Sequence, residues 1–305
     1  MVAALSLPKT LRVDPKFMTT KIRSSLLLLC GLASAGILPA QTPKVEFPAA
    51  SPTSTVKQRV GFTDIEIVYS RPGVKDRKIF GGLVPYGEVW RTGANSATKI
   101  TFSTAVKFGG AEVPAGSYAI YTIPGTVEWT VILSKVTGQW GAYRYNSGDD
   151  LVRVKVTPVK LTEPIETFVI GLNDLRDESA TLNLVWDRTR VPVKLEFEIT
   201  NQLVRQIDAA MATEGKGKPY FQAAIFYLEH NLDLNKAAGW MDAAIAENPD
   251  AFYMFYHKAR LLAKMGDKDG AVATAKKSIE MAAKAGGPAA GEYTRLNNTL
   301  IDSLK

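Results

Sequence analysis

Eight short runs rich in Val, Ile, Thr and aromatic residues follow one another with no helical period between them: Asp64–Tyr69, Lys99–Phe102, Tyr118–Ile123, Trp129–Leu133, Val152–Val156, Phe168–Leu172, Thr181–Trp186 and Val193–Ile199. Several alternate apolar and polar residues, as half-buried strands do. Turn-forming residues separate most of them, among them Gly109-Gly110, Pro114-Ala115-Gly116, Pro124-Gly125 and Asn173-Asp174. Strands without intervening helices exclude a parallel sheet, which needs crossover helices. They point to two packed antiparallel sheets, an all-β sandwich or jelly-roll-like domain over residues 56–200.

Near Thr200 the period changes. Gln202–Ala212 has a helical pattern, Gly215-Lys216-Gly217-Lys218-Pro219 breaks it, and Ala-rich helical segments follow. Phe221 and Phe255, Ala237 and Ala271, and Ala244 and Ser278 are each 34 residues apart, with Pro249 near the end of the first unit. This spacing resembles the tetratricopeptide repeat, in which small residues let helices cross and a proline marks the turn. Lys258 departs from it, standing where a large apolar residue is usual. The expectation is a small all-α, tetratricopeptide-like domain over residues 201–305, docked on the sandwich or capped by neighbouring helices.

Ahead of the strands, Lys21 and Arg23 precede the apolar run Leu26–Leu38, and Ala33-Ser34-Ala35 or Pro39-Ala40 offers a cleavage site. That is the order of a secretory signal peptide, with Met18 an alternative start. The run of about 13 residues is short of the roughly 20 of a membrane span. Residues 1–40 are therefore read as a leader and residues 41–55, with Pro43, Pro48 and Pro52, as an extended linker. Cleavage implies export to the periplasm or beyond, and no stable membrane span; Leu27–Gly31 only partly matches a lipidation motif at Cys30.

The formal charge of +7 is concentrated in that leader, which carries five basic residues and one acid; residues 41–305 hold 32 basic and 29 acidic residues. Such a balance does not suit a nucleic-acid binder, which shows a basic stripe. A single cysteine excludes a disulfide framework. With only His230 and His257, little is left for a metal site, and no cofactor is expected.

One segment breaks the rhythm of the strands. Residues 70–96 have no clean period, and loops beyond about 12–15 residues are usually functional or disordered. Ile79, Phe80, Leu83, Val84, Tyr86 and Trp90 give this one apolar mass to bury, while Arg71, Arg77, Lys78, Glu88, Arg91 and Asn95 are its polar groups. Arginine forks bind carboxylates and phosphates at two points, and aromatic faces stack on rings. Two readings stand: Arg91 pairs with Glu88 and the loop plugs an open end of the sandwich, or the arginines and Trp90 face water as a receptor. A second cluster, Trp140-Gly141-Ala142-Tyr143-Arg144-Tyr145, also lies between strands. Sandwich loops gather at two ends, so Trp140 and Tyr143 are able to meet the arginine loop. Asp149 and Asp150 read as a solvated turn, being far short of a calcium loop.

Ser51-Pro52, Val68–Pro72, Gly73–Gly87, Val89–Asn95, Pro114–Gly116, Trp129–Ile132 and Gln139–Tyr143 resemble the signature blocks of the exported bacterial family known as domain of unknown function 2911. The resemblance covers about residues 51–199. It implies an exported β-rich protein, sometimes followed by helical repeats, and no established activity. From the residues, two classes remain. One is a binding module whose ligand, polar or anionic and including glycans, meets Arg71, Arg77, Lys78, Tyr86, Glu88, Trp90, Arg91, Asn95, Trp140 and Tyr143, with a protein partner on the repeats. The other is a carboxylate-dependent hydrolase of the cell envelope using Glu88 or Asp149.

Overall fold

Alternation decides which face each strand buries. In β2 (Thr63–Ser70), Thr63, Ile65, Ile67 and Tyr69 turn inward while Asp64 stays in water. The other strands are β1 (Thr53–Val60), β3 (Thr98–Phe102), β4 (Val106–Phe108), β5 (Ala111–Val113), β6 (Gly116–Ile123), β7 (Trp129–Ser134), β8 (Asp150–Val156), β9 (Val159–Arg176) and β10 (Ser179–Glu196); β1, β3 and β4 alternate in the same way, whereas β6 and β7 are buried on both faces. The computed structural model describes residues 46–305, so the leader and the first five residues of the linker, 41–45, lie outside the described residues. All strand pairings are antiparallel: one sheet has the order β1-β2-β3-β6-β7-β8, the other β5-β4-β10-β9. Neither sheet closes on itself. Between β3 and β6 the chain crosses to the second sheet for the short β4–β5 hairpin and then returns.

Two differences from the sequence pattern have local causes. Thr53–Thr55, expected as linker, belong to β1, which pairs along its whole length with β2. As an edge strand it exposes polar Thr, Lys and Gln and tolerates Pro52 at its start. Thr181–Trp186 and Val193–Ile199 belong largely to the single strand β10. The inward set Ala180, Leu182, Leu184 and Trp186 is followed by Val191, Val193 and Leu195, one residue out of phase. On both sides of Asp187, whose φ is +49°, the register with β9 shifts, the additional residues lying on β9, and the apparent pattern splits there.

The core between the sheets is centred on aromatic rings. Trp90 stacks on Trp186 at 5.7 Å, and Phe168 and Phe80 meet Trp186 edge-on at 5.9 and 6.2 Å. A smaller cluster, Ala97, Ala119, Tyr121 and Ile132, has Ala142 and Tyr145 packed against it.

Six helices follow among the described residues: α1 (Thr200–Ala212), α2 (Tyr220–Glu229), α3 (Leu234–Glu247), α4 (Phe252–Lys264), α5 (Lys268–Ala285) and α6 (Gly287–Ser303). Ala237, Ala244, Ala271 and Ser278, the small residues picked out by their spacing, are all buried. The helices meet the sandwich at the β9–β10 turn. There the Glu178 carboxylate accepts from the Thr200 backbone N–H and hydroxyl, and His230 lies 3.4 Å from Asp177.

Candidate functional site

The long segment after β2 folds as a cap pinned at several points. Gly82 and Val84 both donate to the Ile79 carbonyl, and Leu83 to that of Lys78, which makes a tight turn over 78–84. Trp90 then pairs with Thr122 of β6 through two backbone hydrogen bonds of 2.8 and 2.9 Å. Its indole is directed inward, only 8% exposed, and donates to the Gly93 carbonyl at 3.1 Å. The expectation that this indole faces water is therefore corrected: burying it against Phe80, Phe168 and Trp186 removes far more apolar surface from water than a loop position does.

The polar groups of the loop divide. Arg71 donates from Nε to the Phe168 carbonyl, and Arg77 donates to the carbonyls of Val74 and Gly73, so both are occupied in holding the loop. Asn95, at φ +58°, ties Ser51 and Ser70 together through its side-chain amide. Lys78 is exposed in the tight turn. Arg91 is different: its side chain has no hydrogen bond or ion pair among the described residues, and its Nε is buried without a partner. Glu88 is exposed and makes no ion pair with it, so the two do not neutralise one another. An unpartnered buried donor costs about 1–3 kcal/mol.

Arg91 lines two neighbouring clefts. One, of about 270 Å³, brings Leu83, Pro85, Glu88 and Trp90 together with Tyr143 of the second aromatic cluster. The other, of about 220 Å³, adds Arg77, Ser51 and Trp186. Trp90 contributes to both as a wall, in keeping with its burial. Tyr86 lines a third depression of about 260 Å³ with Phe80, Trp129, Lys160 and Arg188. Trp140 is 66% exposed and bridges Ser96, but lines none of these clefts. Ser51 and Pro85 were not signalled as site residues by the sequence, and Leu83 only as apolar mass to bury, because small and apolar lining residues carry no chemical signature.

Asp149 sits in a short 3-10 turn (Ser147–Asp149) and also lines none of these clefts, so Glu88 is the one carboxylate beside Arg91 in the Tyr143 cleft. Its neighbour Asp150 carries the structural role. One oxygen accepts from the Tyr145 hydroxyl at 2.6 Å and from Arg153 Nε at 2.8 Å, with the Asp150 side chain only 7% exposed. Burial first, then this carboxylate, pushes the Tyr145 phenol above its ordinary value. The network anchors the loop that carries Tyr143. Asp150→Ala is expected to lower stability by about 2 kcal/mol, read from the urea midpoint, because it leaves the Tyr145 hydroxyl without its acceptor.

A larger groove of about 420 Å³ near β4 is lined by Glu112, Glu178, Glu196 and Glu198. These carboxylates are already engaged: Glu112 with Lys107, Glu196 with Lys194, Glu178 with Thr200, and Glu198 with the Asn201 N–H. Among the described residues no group of three or more His, Cys, Asp or Glu could hold a metal ion, and no helix is long and apolar enough to cross a membrane.

Comparison with known proteins gives no match among curated proteins or solved structures. Residues 51–195 match the model of a family described as protein of unknown function (DUF2911), a span that runs from β1 to near the end of β10 and holds Arg91, Glu88 and Tyr143. Over those residues the chain is similar to that family.

Proposed function

We propose that the chain is an exported binding protein whose β domain takes up a small anionic ligand at Arg91. One observation carries the reading: a guanidinium with no internal partner lines two adjacent clefts, while its neighbours Arg71 and Arg77 are tied to backbone carbonyls. A carboxylate or phosphate would supply the missing partner in the two-point geometry that arginine favours. Turnover has less support, since Asp149 does not join Glu88 in the cleft and paired-carboxylate chemistry needs both. Export rests on the leader residues. The helices, read as tetratricopeptide-like from the 34-residue spacing of buried Ala237 and Ala271, are proposed to hold a protein partner.

The test is calorimetric titration of the full chain with a panel of carboxylates and inorganic phosphate. Arg91→Ala is expected to weaken any hit by about 10–100-fold, since hydrogen bonds to charged groups contribute about 1.5–3 kcal/mol. Arg91→Lys retains the charge without the fork and should fall between. Binding that is indifferent to both changes places the ligand elsewhere.

A further inference from the structure

We infer that the ligand is an acidic sugar, a pyranose bearing a carboxylate, with its acid group on Arg91 and its ring on Tyr143. This rests on the Arg91 reading and adds to it the class of ligand. Tyr143 is 85% exposed, and its ring lies beside a glycine. Gly141, at φ +70°, lies directly beneath it: a Cβ there would fall 2.5 Å from Tyr143 Cε2 and 2.7 Å from Cδ2. The ring is thus seated against the glycine backbone, leaving much of its surface to solvent. Folding gains little from holding a tyrosine that way, because most of its apolar surface stays wet.

The device occurs twice. Tyr86, 45% exposed, rests on Gly81 at φ +76°, where a Cβ would lie 2.6 Å from the ring. Leu83 and Pro85 belong to the cleft of Tyr143, and Tyr86 to the adjoining depression with Lys160 and Arg188. Two exposed tyrosine faces, each lining a cleft, suit a ligand whose rings have apolar faces, as in an oligosaccharide. The cleft of about 270 Å³ is below the roughly 300–1,000 Å³ of a drug-sized site, so it takes one ring at a time.

Glu88 narrows the class further. A carboxylate in the same cleft as Arg91 repels a ligand carrying two or more charges at one point, which disfavours nucleotides and phosphosugars, and it accepts hydrogen bonds from hydroxyls. A ligand with one negative charge per ring and several hydroxyls satisfies Arg91 and Glu88 together. A neutral sugar leaves Arg91 without its partner.

The experiment is titration of the full chain with trigalacturonate, its neutral counterpart galactotriose, acetate, inorganic phosphate and adenosine monophosphate, followed calorimetrically. Trigalacturonate is expected to bind at least tenfold more tightly than any other probe, and Tyr143→Ala, a surface change, to weaken it about tenfold. Gly141→Ala, which moves the ring, should do the same with Tyr145 and Asp150 left in place. If acetate or phosphate binds as well as trigalacturonate in an Arg91-dependent way and Tyr143→Ala changes nothing, anion binding stands and the sugar is rejected. Tighter binding of adenosine monophosphate or galactotriose also rejects it. If no probe binds, the acidic-sugar assignment is overturned, and with it the carboxylate and phosphate site at Arg91.

Discussion

Trp90→Ala is expected to destabilise the β domain by about 3–5 kcal/mol, the range for truncating a large aromatic residue in a core. The indole is stacked on Trp186 at 5.7 Å and 18°, and Phe168 meets it edge-on at 5.3 Å. Removing it opens a cavity among the rings of Phe80, Phe168 and Trp186 and deprives the Gly93 carbonyl of its donor. Surrounding strands that hydrogen-bond on both sides relax only partly, so the cavity persists. Trp90→Phe keeps a ring but loses the N–H, and should cost about 1–2 kcal/mol. The urea midpoint should fall with an unchanged slope. A Trp90→Ala protein of near wild-type stability that has lost only ligand binding would contradict this placement of the indole.

Stability should also fall as the solution is acidified below pH 6.5, with His257 as a main source. Burial in α4, and next the guanidinium of Arg260, bring this imidazole down from 6.5 to about 4. Glu229 of α2, which pairs with Arg260 at 2.8 Å, pulls the other way and does not prevail. The rings of Phe221 and Tyr256 fill in at 5.5 and 5.1 Å. The fold therefore holds His257 neutral. Between pH 6.5 and about 4 the unfolded chain takes up a proton that the folded chain does not, so stability present above pH 6.5 is lost through that interval. The full shift corresponds to about 3 kcal/mol, of which about 2 kcal/mol is lost by pH 4.5. Carboxylates titrate in the same range, so the measurement is a comparison: urea unfolding at pH 7 and pH 4.5 for the wild type and for His257→Phe. The variant should lose about that much less on acidification. An identical loss in both proteins contradicts the assignment.

The strands were legible because burial on one face writes a period of two into the chain, which β2 and β3 follow closely, while β6 and β7, buried on both faces, show as short continuous runs rich in β-branched and aromatic residues. β10 hid its length because its inward phase changes across Asp187, where the register with β9 shifts twice. β1 hid because an edge strand facing water needs few apolar residues, and β4 and β5, at three residues each, are too short to show a period. At the site, the residue types were readable but their directions were not. Trp90 and Arg91 are adjacent in sequence, yet the first is buried among rings and the second has no partner. Asp149 and Asp150 are likewise adjacent, and only the geometry of β8 shows that Asp150 is the one turned inward to hold Tyr145. The meeting of Tyr143 with Arg91 depends on two loops separated by five strands, and nothing local encodes it.

The account turns on the guanidinium of Arg91 being the group that an anion meets. Nitrogen-15 NMR of arginine side chains in the full chain reads this directly, with Arg91→Lys used to assign the Arg91 Nε–H signal. On titration with trigalacturonate that signal should move progressively and saturate, and its exchange with water should slow, while those of Arg71 and Arg77 stay nearly still. A saturable complex that leaves the Arg91 signal where it was would contradict the account.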